Sequence, residues 1–386
     1  MPVLNRAAEL KDEVAGWRQT IHMTPELLFD VEQTAALVVE KLKAFGVDEI
    51  VTGLGRTGVV GIINGNATGP TIGLRADMDA LPITEQTGKP YASTVAGKMH
   101  ACGHDGHTAM LLGAAKYLAE TRNFAGRVAL IFQPAEEGGG GGRVMVEDGL
   151  MDRFDISEVY GMHNYPGLPV GAFAIRKGPM MASADQFEIT IQGLGGHAAT
   201  PHRCIDPVVI GGQIIGALQT IASRVVDPLD PIVITIGELR AGTAHNIIPE
   251  TAVMRGTVRT LKPETRDLAE AKIKQIAEGI AVANGGSAVV DYDRMYPVTR
   301  NHDSETDHAI AAARSVSGEA AVITELPPAM GGEDFSFMLE ARPGAFIAIG
   351  NGDSATLHHP AYDFDDEAIP FGLSYWVKLV ESRLPR

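Results

Sequence analysis

The stretch Val-Ala-Leu-Ile-Phe-Gln-Pro-Ala-Glu-Glu, residues 128–137, decides the fold of this 386-residue chain. Its first five residues form a continuous apolar run, which is typical of a strand buried on both faces of a parallel sheet. Glu136 and Glu137 follow directly after Pro134, where the run has ended. Because a helical pattern over 106–120 precedes the strand, the order of elements indicates an α/β fold with a mostly parallel sheet.

Further short apolar runs have the same character as this strand, and one of them is Val59–Ile63. Three others are each followed by polar residues: Ile72–Leu74 by Asp77 and Asp79, Val159–Gly161 by His163, and Phe346–Ile349 by His358. Open α/β sheets place their sites beyond the carboxyl ends of the strands. We therefore expect these polar side chains to gather at one edge of the sheet.

The segment Met-His-Ala-Cys-Gly-His-Asp-Gly-His, residues 99–107, concentrates three imidazoles and one of the two cysteines. Imidazole and thiolate are the usual ligands of borderline-soft divalent metals. Cys102 and His104 would point to the same side of an extended chain. A helix starting near Asp105 would favour the ionised thiol through its positive end. The segment predicts half of a metal site, whose other half comes from Glu136-Glu137, His163, and either His358 or His359.

The two adjacent glutamates can have different roles in such a site. Neighbouring carboxylates at a strand exit point in different directions, so one can hold a metal while the other faces a bound water molecule. The glycines at 138–142 allow the backbone to approach closely. This arrangement is typical of a metallohydrolase.

Residues 184–293 carry a different pattern from the rest of the chain. Apolar strands and two helical stretches follow one another in the order β-α-β-β-α-β, which is that of a ferredoxin-like sandwich. We predict that this segment is a second domain inserted into a catalytic domain formed by 1–183 and 294–386. A chain of this length also exceeds the size at which one core keeps growing.

Composition excludes several classes of partner. The formal net charge is −16 and no basic run is present, which argues against nucleic acid and anionic membranes. No apolar run approaches about 18 residues, so no membrane span is expected. Two cysteines do not make a disulfide framework, and we expect a cytoplasmic protein with reduced thiols.

The sequence Gly53-x-Gly55-x-x-Gly58 matches a dinucleotide-binding fingerprint and offers a different function. That motif requires a helix after its last glycine. Here it leads into Val59–Ile63, which is β-branched and too short for the helix, so we interpret it as a turn between strands. A nicotinamide-dependent oxidoreductase remains the alternative from another enzyme class.

With these residues in place, the chain resembles the amidohydrolase branch of the M20 metallopeptidase family. The matching motifs run through most of the sequence: Arg18–Glu26, Leu74–Pro82, Met99–His107, Phe132–Gly138, Gly161–Gly171, Gly195–His202, Ala244–Glu250, Gly331–Phe335 and Leu357–Pro360. The resemblance implies a mostly parallel-sheet metallopeptidase catalytic domain with an inserted ferredoxin-like lid and dimerisation domain.

The same resemblance assigns roles to individual residues. It implies two divalent ions per subunit (zinc, manganese, cobalt or nickel), held by Cys102 as a bridging ligand together with His104, Glu137, His163 and His358. Glu136 would be the general base and acid, and Asp79 would orient a metal-bound imidazole. Asp77 stands where other branches have a ligand histidine, so its role is left open.

In the inserted domain, His197 matches the lid histidine that reaches a neighbouring active site and stabilises the oxyanion, and Asn246 is its polar partner for substrate. The resemblance implies a homodimer or a dimer-based oligomer that hydrolyses the amide of N-acyl amino acids. A dipeptidase or aminopeptidase on the same scaffold is the alternative. A non-catalytic relative would have lost the base or a ligand, and this chain retains both.

Overall fold

The computed structural model describes residues 3–386, which divide into two compact units. The first unit contains the chain up to Met180 together with Arg300–Pro327 and Asp334–Arg386. The second contains Met181–Thr299 and Pro328–Glu333. The insertion therefore lies near the predicted 184–293, but the return of Pro328–Glu333 to the second unit was not expected.

The secondary structure agrees with the sequence patterns over most of the chain. The helices are α1 (Asn5–Met23), α2 (Glu32–Ala44), α3 (His104–Thr121), α4 (Gly141–Glu147), α5 (Leu150–Arg153), α6 (Pro207–Thr220), α7 (Pro263–Ala283), α8 (Asp303–Ser317), α9 (Ser336–Ala341) and α10 (Ile369–Arg383). The strands are β1 (Glu49–Leu54), β2 (Gly58–Asn64), β3 (Ala67–Asp77), β4 (Ala125–Gln133), β5 (Ile156–Tyr165), β6 (Phe173–Ala174), β7 (Gly178–Met181), β8 (Ser183–Gln192), β9 (Gly196–His197), β10 (Ile232–Ala241), β11 (Ile247–Ile248), β12 (Thr251–Thr260), β13 (Ser287–Tyr296), β14 (Thr299–Asn301), β15 (Val322–Ile323) and β16 (Gly344–Gly350).

The first unit is built on an eight-stranded sheet of order β1-β2-β4-β3-β5-β16-β6-β15. Its central strands β4, β3, β5 and β16 are parallel neighbours, as the apolar runs predict. Helices α1, α3 and α10 pack on one another, and α3 also packs on β3. The mostly parallel α/β fold is confirmed.

Strand β2 corrects one expectation. Val59–Ile63 was predicted as a parallel strand, but β2 runs antiparallel to both β1 and β4. Burial on both faces makes a strand uniformly apolar whatever its direction, so the run could not reveal its orientation. Of the three glycines, Gly53 lies on β1, Gly55 lies in the turn and Gly58 begins β2, so a strand and not a helix follows the motif. The interpretation as a turn is therefore confirmed, and the glycine motif does not support the oxidoreductase alternative.

The carboxyl ends of the parallel strands lie side by side. Asp77 is opposite Gln133, and His163 is opposite Ala348. Arg75 pairs with Gly161, which brings the ends of β3 and β5 level. This register collects the polar residues that follow the strands at one edge of the sheet, as predicted.

The second unit is an antiparallel four-stranded sheet of order β10-β12-β8-β13, and its elements follow one another as β8-α6-β10-β12-α7-β13. This is the ferredoxin-like arrangement expected from the sequence. Ile189 and Ile191 of the sheet share a core with Ile214 of α6 and Ala277 of α7.

Within residues 3–386, one helical stretch, Pro207–Val225, is long and apolar enough by composition to cross a membrane. Two glutamines interrupt its apolar residues, so it is not one continuous apolar run. Ile210, Ile214 and Leu218 of this stretch are buried in the core of the second unit. The apolar composition is thus explained in part by packing within that unit.

Gly344, at the start of β16, provides a test of the sheet's close packing. A Cβ there would lie 2.0 Å from the carbonyl oxygen of Val159 on β5. We expect Gly344→Ala to lower the free energy of unfolding by about 1–3 kcal/mol, as overpacking of a core does. Gly16 is the matched control, because it lies in α1 with nothing within 4 Å of its Cβ position. Gly16→Ala should raise stability by about 0.5–1 kcal/mol. Urea unfolding of both variants measures the two free energies of unfolding. An equal change in both variants would contradict the close packing assigned to Gly344.

Candidate functional site

The turn that carries Cys102 and His104 depends on the glycine between them. Gly103 has φ +84°, and His104 is the first residue of α3. A Cβ at Gly103 would lie 2.3 Å from Asn164 Nδ2 and 2.4 Å from the Tyr362 hydroxyl. The expected extended conformation is therefore wrong, because a left-handed turn brings the two donor side chains together.

Glu136 and Glu137 lie on a second constrained turn after β4. Ala135 has φ +55°, a left-handed conformation that is uncommon for a residue with a side chain. The carboxylate of Asp79 accepts the backbone N–H groups of Glu136 and Glu137 at 3.0 and 3.1 Å. Asp79 thus holds the turn that presents both glutamates.

His163 lies near the carboxyl end of β5. Its Nδ1 is 2.7 Å from the backbone oxygen of Asn164, to which it donates a hydrogen bond. Its Nε2 is 3.4 Å from Cys102 Sγ. A hydrogen bond from one ring nitrogen to a carbonyl leaves the other nitrogen as the donor to a metal.

His358 also has a left-handed backbone, with φ +63°. Its N–H donates to Ala101 O at 2.8 Å, and its Nε2 lies 3.3 Å from Glu137 Oε1. His359 instead accepts the N–H of Ala361 through Nδ1. The geometry therefore separates two histidines that the residue pattern left open, and it places His358 beside Glu137.

These side chains form two overlapping groups of possible ligands. One group is Cys102, His104 and His163, and the other is Cys102, Glu137 and His358; within each, the donor atoms lie within 4.8 Å of one another. Glu136 joins His104 and Glu137 in a third group of the same kind. All five predicted ligands and the predicted base thus converge, and both ligand groups share Cys102.

Asp77 lies behind these groups in a buried network. One of its oxygens is 2.6 Å from His107 Nδ1, and the other accepts from Arg75 at 2.7 Å. His107 Nε2 in turn accepts the backbone N–H of Asn164 at 2.8 Å. Asp77 therefore orients His107, which braces the strand end carrying His163.

Several of these supporting residues were not predicted. Asn164 was not predicted from the sequence, and its Nδ2 donates to Cys102 O at 2.5 Å. Tyr362 was not predicted either, and its hydroxyl donates to Asn164 Oδ1 at 2.8 Å. Their only local signals are that Asn164 follows His163 and that Tyr362 comes four residues after His358. His100 is buried, and neither of its ring nitrogens has a hydrogen-bond partner.

The electrostatics of the site are dominated by burial and by its carboxylates. Burial raises the pKa of the Cys102 thiol, and Glu137 and Glu136 raise it further. The expected lowering by the N-terminus of α3 is therefore not seen in the protein alone. Burial lowers the pKa of His163 well below its usual value, with a contribution from His107. Burial also lowers the pKa of His104, but Asp77 and Asp79 outweigh it and raise the pKa to about 10.

Several buried polar atoms of the site have contacts but no hydrogen bond of good geometry. Both ring nitrogens of His104 and Oε1 of Glu137 are of this kind, with His104 Nδ1 3.4 Å from Asp79 Oδ1 and Glu137 Oε1 3.3 Å from His358 Nε2. Buried polar atoms of this kind are costly unless they are paired or coordinate a cation. A set of thiol, imidazole and carboxylate donors fits a divalent transition-metal ion.

The two predicted substrate residues belong to the second unit and are neighbours there. His197 on β9 pairs with Ile247 on β11, and the N–H of Ala198 donates to Asn246 O at 3.1 Å. His197 is exposed, and its Nδ1 accepts the N–H of Ala199 at 3.0 Å. The local geometry thus places the two residues together.

Comparison with known proteins places the chain among metallohydrolases. The Peptidase family M20/M25/M40 matches residues 73–382. A hippurate hydrolase from Campylobacter jejuni is 44% identical, with 98% of each chain aligned. An N-acetylcysteine deacetylase from Bacillus subtilis is 41% identical over 94% of each chain.

A solved structure agrees with these sequence relatives. The crystal structure of a dinuclear metal-binding peptidase of the M20 family from Bacillus subtilis superposes with a TM-score of 0.86 and 37% identity, covering 98% of this chain and 99% of the other. The family match covers most of the sequence, and the fold agrees over nearly all of it. The chain therefore belongs to the M20 family of peptidases.

Proposed function

We propose that the protein is a metal-dependent amidohydrolase that cleaves N-acyl amino acids into a carboxylic acid and a free amino acid. The observation that carries the proposal is the convergence of five donor side chains with Glu136 beside them. The relatives named as a hippurate hydrolase and an N-acetylcysteine deacetylase support this substrate class.

The ligand groups suit two divalent cations. Cys102, His104 and His163 would hold one and Glu137 and His358 the other, with Cys102 shared, as the two overlapping groups suggest. When bound, such ions lower the pKa of a water molecule and polarise the substrate carbonyl. The mixed donors are compatible with zinc, manganese, cobalt or nickel.

Glu136 is the proposed base of the reaction. Its carboxylate accepts a proton from the attacking water and then delivers it to the nitrogen of the leaving amine. Asp79 keeps that carboxylate in place through the backbone of the same turn. His197, with Asn246 beside it, donates a hydrogen bond to the oxygen of the substrate carbonyl as negative charge develops there.

A second copy of the chain is the proposed partner. Strand β10 lies at the edge of the sheet in the second unit, where its backbone groups are unpaired on one side. Val233 and Leu239 on β10 and Val208 and Val209 on α6 are exposed apolar side chains in the same unit. An edge strand can pair with another chain, and exposed apolar patches mark sites of protein–protein contact, so we propose a homodimer formed here.

We also propose a cytoplasmic location. Cys102 and Cys204 are both free thiols. A thiol that serves as a metal ligand must stay reduced, and a reducing compartment maintains that state.

The substrate proposal is tested with the metal-loaded protein and a panel of hippurate, N-acetyl amino acids and free dipeptides. We expect hydrolysis of the N-acyl compounds and little of the dipeptides. The matched control is Glu136→Gln, which should retain its metal while kcat falls by about 10²–10⁴-fold, as for a lost general base. Faster cleavage of dipeptides would favour the peptidase alternative, and full activity of Glu136→Gln would exclude the role of Glu136.

Cys102→Ala tests the shared ligand. Because both proposed ligand groups contain Cys102, its removal should reduce the affinity for both cations. Elemental analysis after dialysis should show far less metal per chain than in the wild-type protein. Cys204→Ala is the matched control, since Cys204 lies in the second unit and its thiol contacts Thr200 O. An unchanged metal content in Cys102→Ala would contradict the bridging role.

The proposal that His197 serves a neighbouring subunit predicts complementation. Inactive His197→Ala chains mixed with inactive Glu136→Gln chains should recover about a quarter of wild-type activity, because half of randomly formed dimers are mixed and each holds one complete site. A mixture of Glu136→Gln with the double variant Glu136→Gln/His197→Ala should stay inactive. Recovery must follow subunit exchange, and its absence after verified exchange would assign His197 to its own subunit.

A further inference from the structure

Asp105, the residue directly after His104, is a buried carboxylate with two cationic partners. Its Oδ2 is 3.1 Å from Arg18 Nη1 and 2.8 Å from His22 Nδ1. Arg18 and His22 are four residues apart on α1, so they lie on one face of that helix. The first turn of α3 is therefore tied to α1 at the position next to a proposed ligand.

All three of these side chains are fully buried. Burial lowers the pKa of His22, but Asp105 and Glu85 outweigh it and raise the pKa to about 9, so the imidazole is cationic at neutral pH. Arg18 also contacts the carboxylate of Asp366, with Nε 2.5 Å from Oδ1. Burying an ion pair costs desolvation that often exceeds the attraction, so stability alone is a poor reason for this cluster.

The position of the cluster suggests a different reason. On the far side of the same turn, Asn164 Nδ2 holds the carbonyl of Cys102, and the left-handed Gly103 allows that approach. Consecutive side chains on a helix are about 100° apart, so fixing Asp105 fixes the direction in which His104 points. The donors Cys102 and His104 thus lie between two sets of contacts that act on one short turn.

We propose that Arg18 and His22 are positioning residues, which hold the turn Cys102–Asp105 through Asp105 in the conformation that binds metal before any metal arrives. This inference rests on the proposed function, because it assumes that Cys102 and His104 are ligands. The contacts that hold Asp105 come from α1, and neither Arg18 nor His22 belongs to the proposed ligand set.

The oxygen atoms of Asp105 allow a sharp test. Oδ2 receives both cationic partners, whereas Oδ1 has no hydrogen-bond partner. Asp105→Asn can therefore place its carbonyl oxygen at the Oδ2 position and keep both contacts, while Asp105→Ala loses them. The matched control is Asp185→Ala in the second unit, where an equally buried carboxylate is held by Arg266 and Tyr292.

The experiment titrates each metal-free protein with Co²⁺ and follows the absorption bands of cobalt and its thiolate bond. We expect Asp105→Ala to bind Co²⁺ about 10–100-fold more weakly than the wild-type protein, the usual cost of losing support behind a ligand. Asp105→Asn should bind nearly as well as the wild-type protein. Asp185→Ala should lower the Tm of the metal-free protein without changing its cobalt affinity.

Each outcome decides between the proposals. Wild-type affinity in Asp105→Ala would overturn the positioning role while leaving the metal centre intact. If Asp185→Ala lowers the Tm as much as Asp105→Ala and weakens cobalt binding equally, cobalt affinity follows stability alone. This result would also overturn the inference. Failure of the wild-type protein to bind Co²⁺ would refute the proposed function itself. If Asp105→Ala does not fold, Asp105→Asn decides, because it should keep the shape of the side chain and both contacts. Weak cobalt binding by a folded Asp105→Asn would contradict the positioning role.

Discussion

The burial of several carboxylates and a thiol in one place is the constraint on which the rest of the structure depends. An ionised carboxylate withdrawn from water is costly unless a partner compensates it. Arg75 compensates Asp77, and two backbone N–H groups compensate Asp79. Within residues 3–386, Glu137 and Cys102 contact histidines but no lysine or arginine. The carboxylates of Asp77 and Asp79 are therefore compensated within the fold. The group formed by Glu137 and Cys102 lacks such compensation, which favours the binding of cations there.

The fold supplies this arrangement through the register of a parallel sheet and a few strained turns. Strand pairing aligns the ends of β3, β4 and β5, but it cannot by itself aim the side chains that follow. That task falls to left-handed residues at Gly103, Ala135 and His358. Glycine adopts this conformation without strain. In Ala135 and His358, which carry side chains, it persists only where surrounding contacts impose it, and such residues concentrate at functional sites.

The features predicted from the sequence are those that depend on residues close together in the chain. They are the strand ends, the donor residues and the ferredoxin-like order of elements. The direction of β2 was wrong because burial, and not orientation, sets its composition. The contacts of Tyr362 with Asn164, and of Arg18 with Asp105, join residues far apart in sequence, so no local pattern announces them. For the same reason, the choice between His358 and His359 needed either a family motif or the backbone.

The topology of the large sheet also bears on how the chain folds during synthesis. Strand β16 pairs directly with β5 and lies between β5 and β6, although it begins about 180 residues after β5 ends. Nearly all of the second unit, by contrast, is one continuous segment that emerges in between. Because long-range pairings form slowly, we expect that segment to fold on the ribosome before β16 is inserted between β5 and β6. His358, the last of the proposed metal ligands, follows β16, so the nascent chain would lack the complete proposed metal site until that strand is in place.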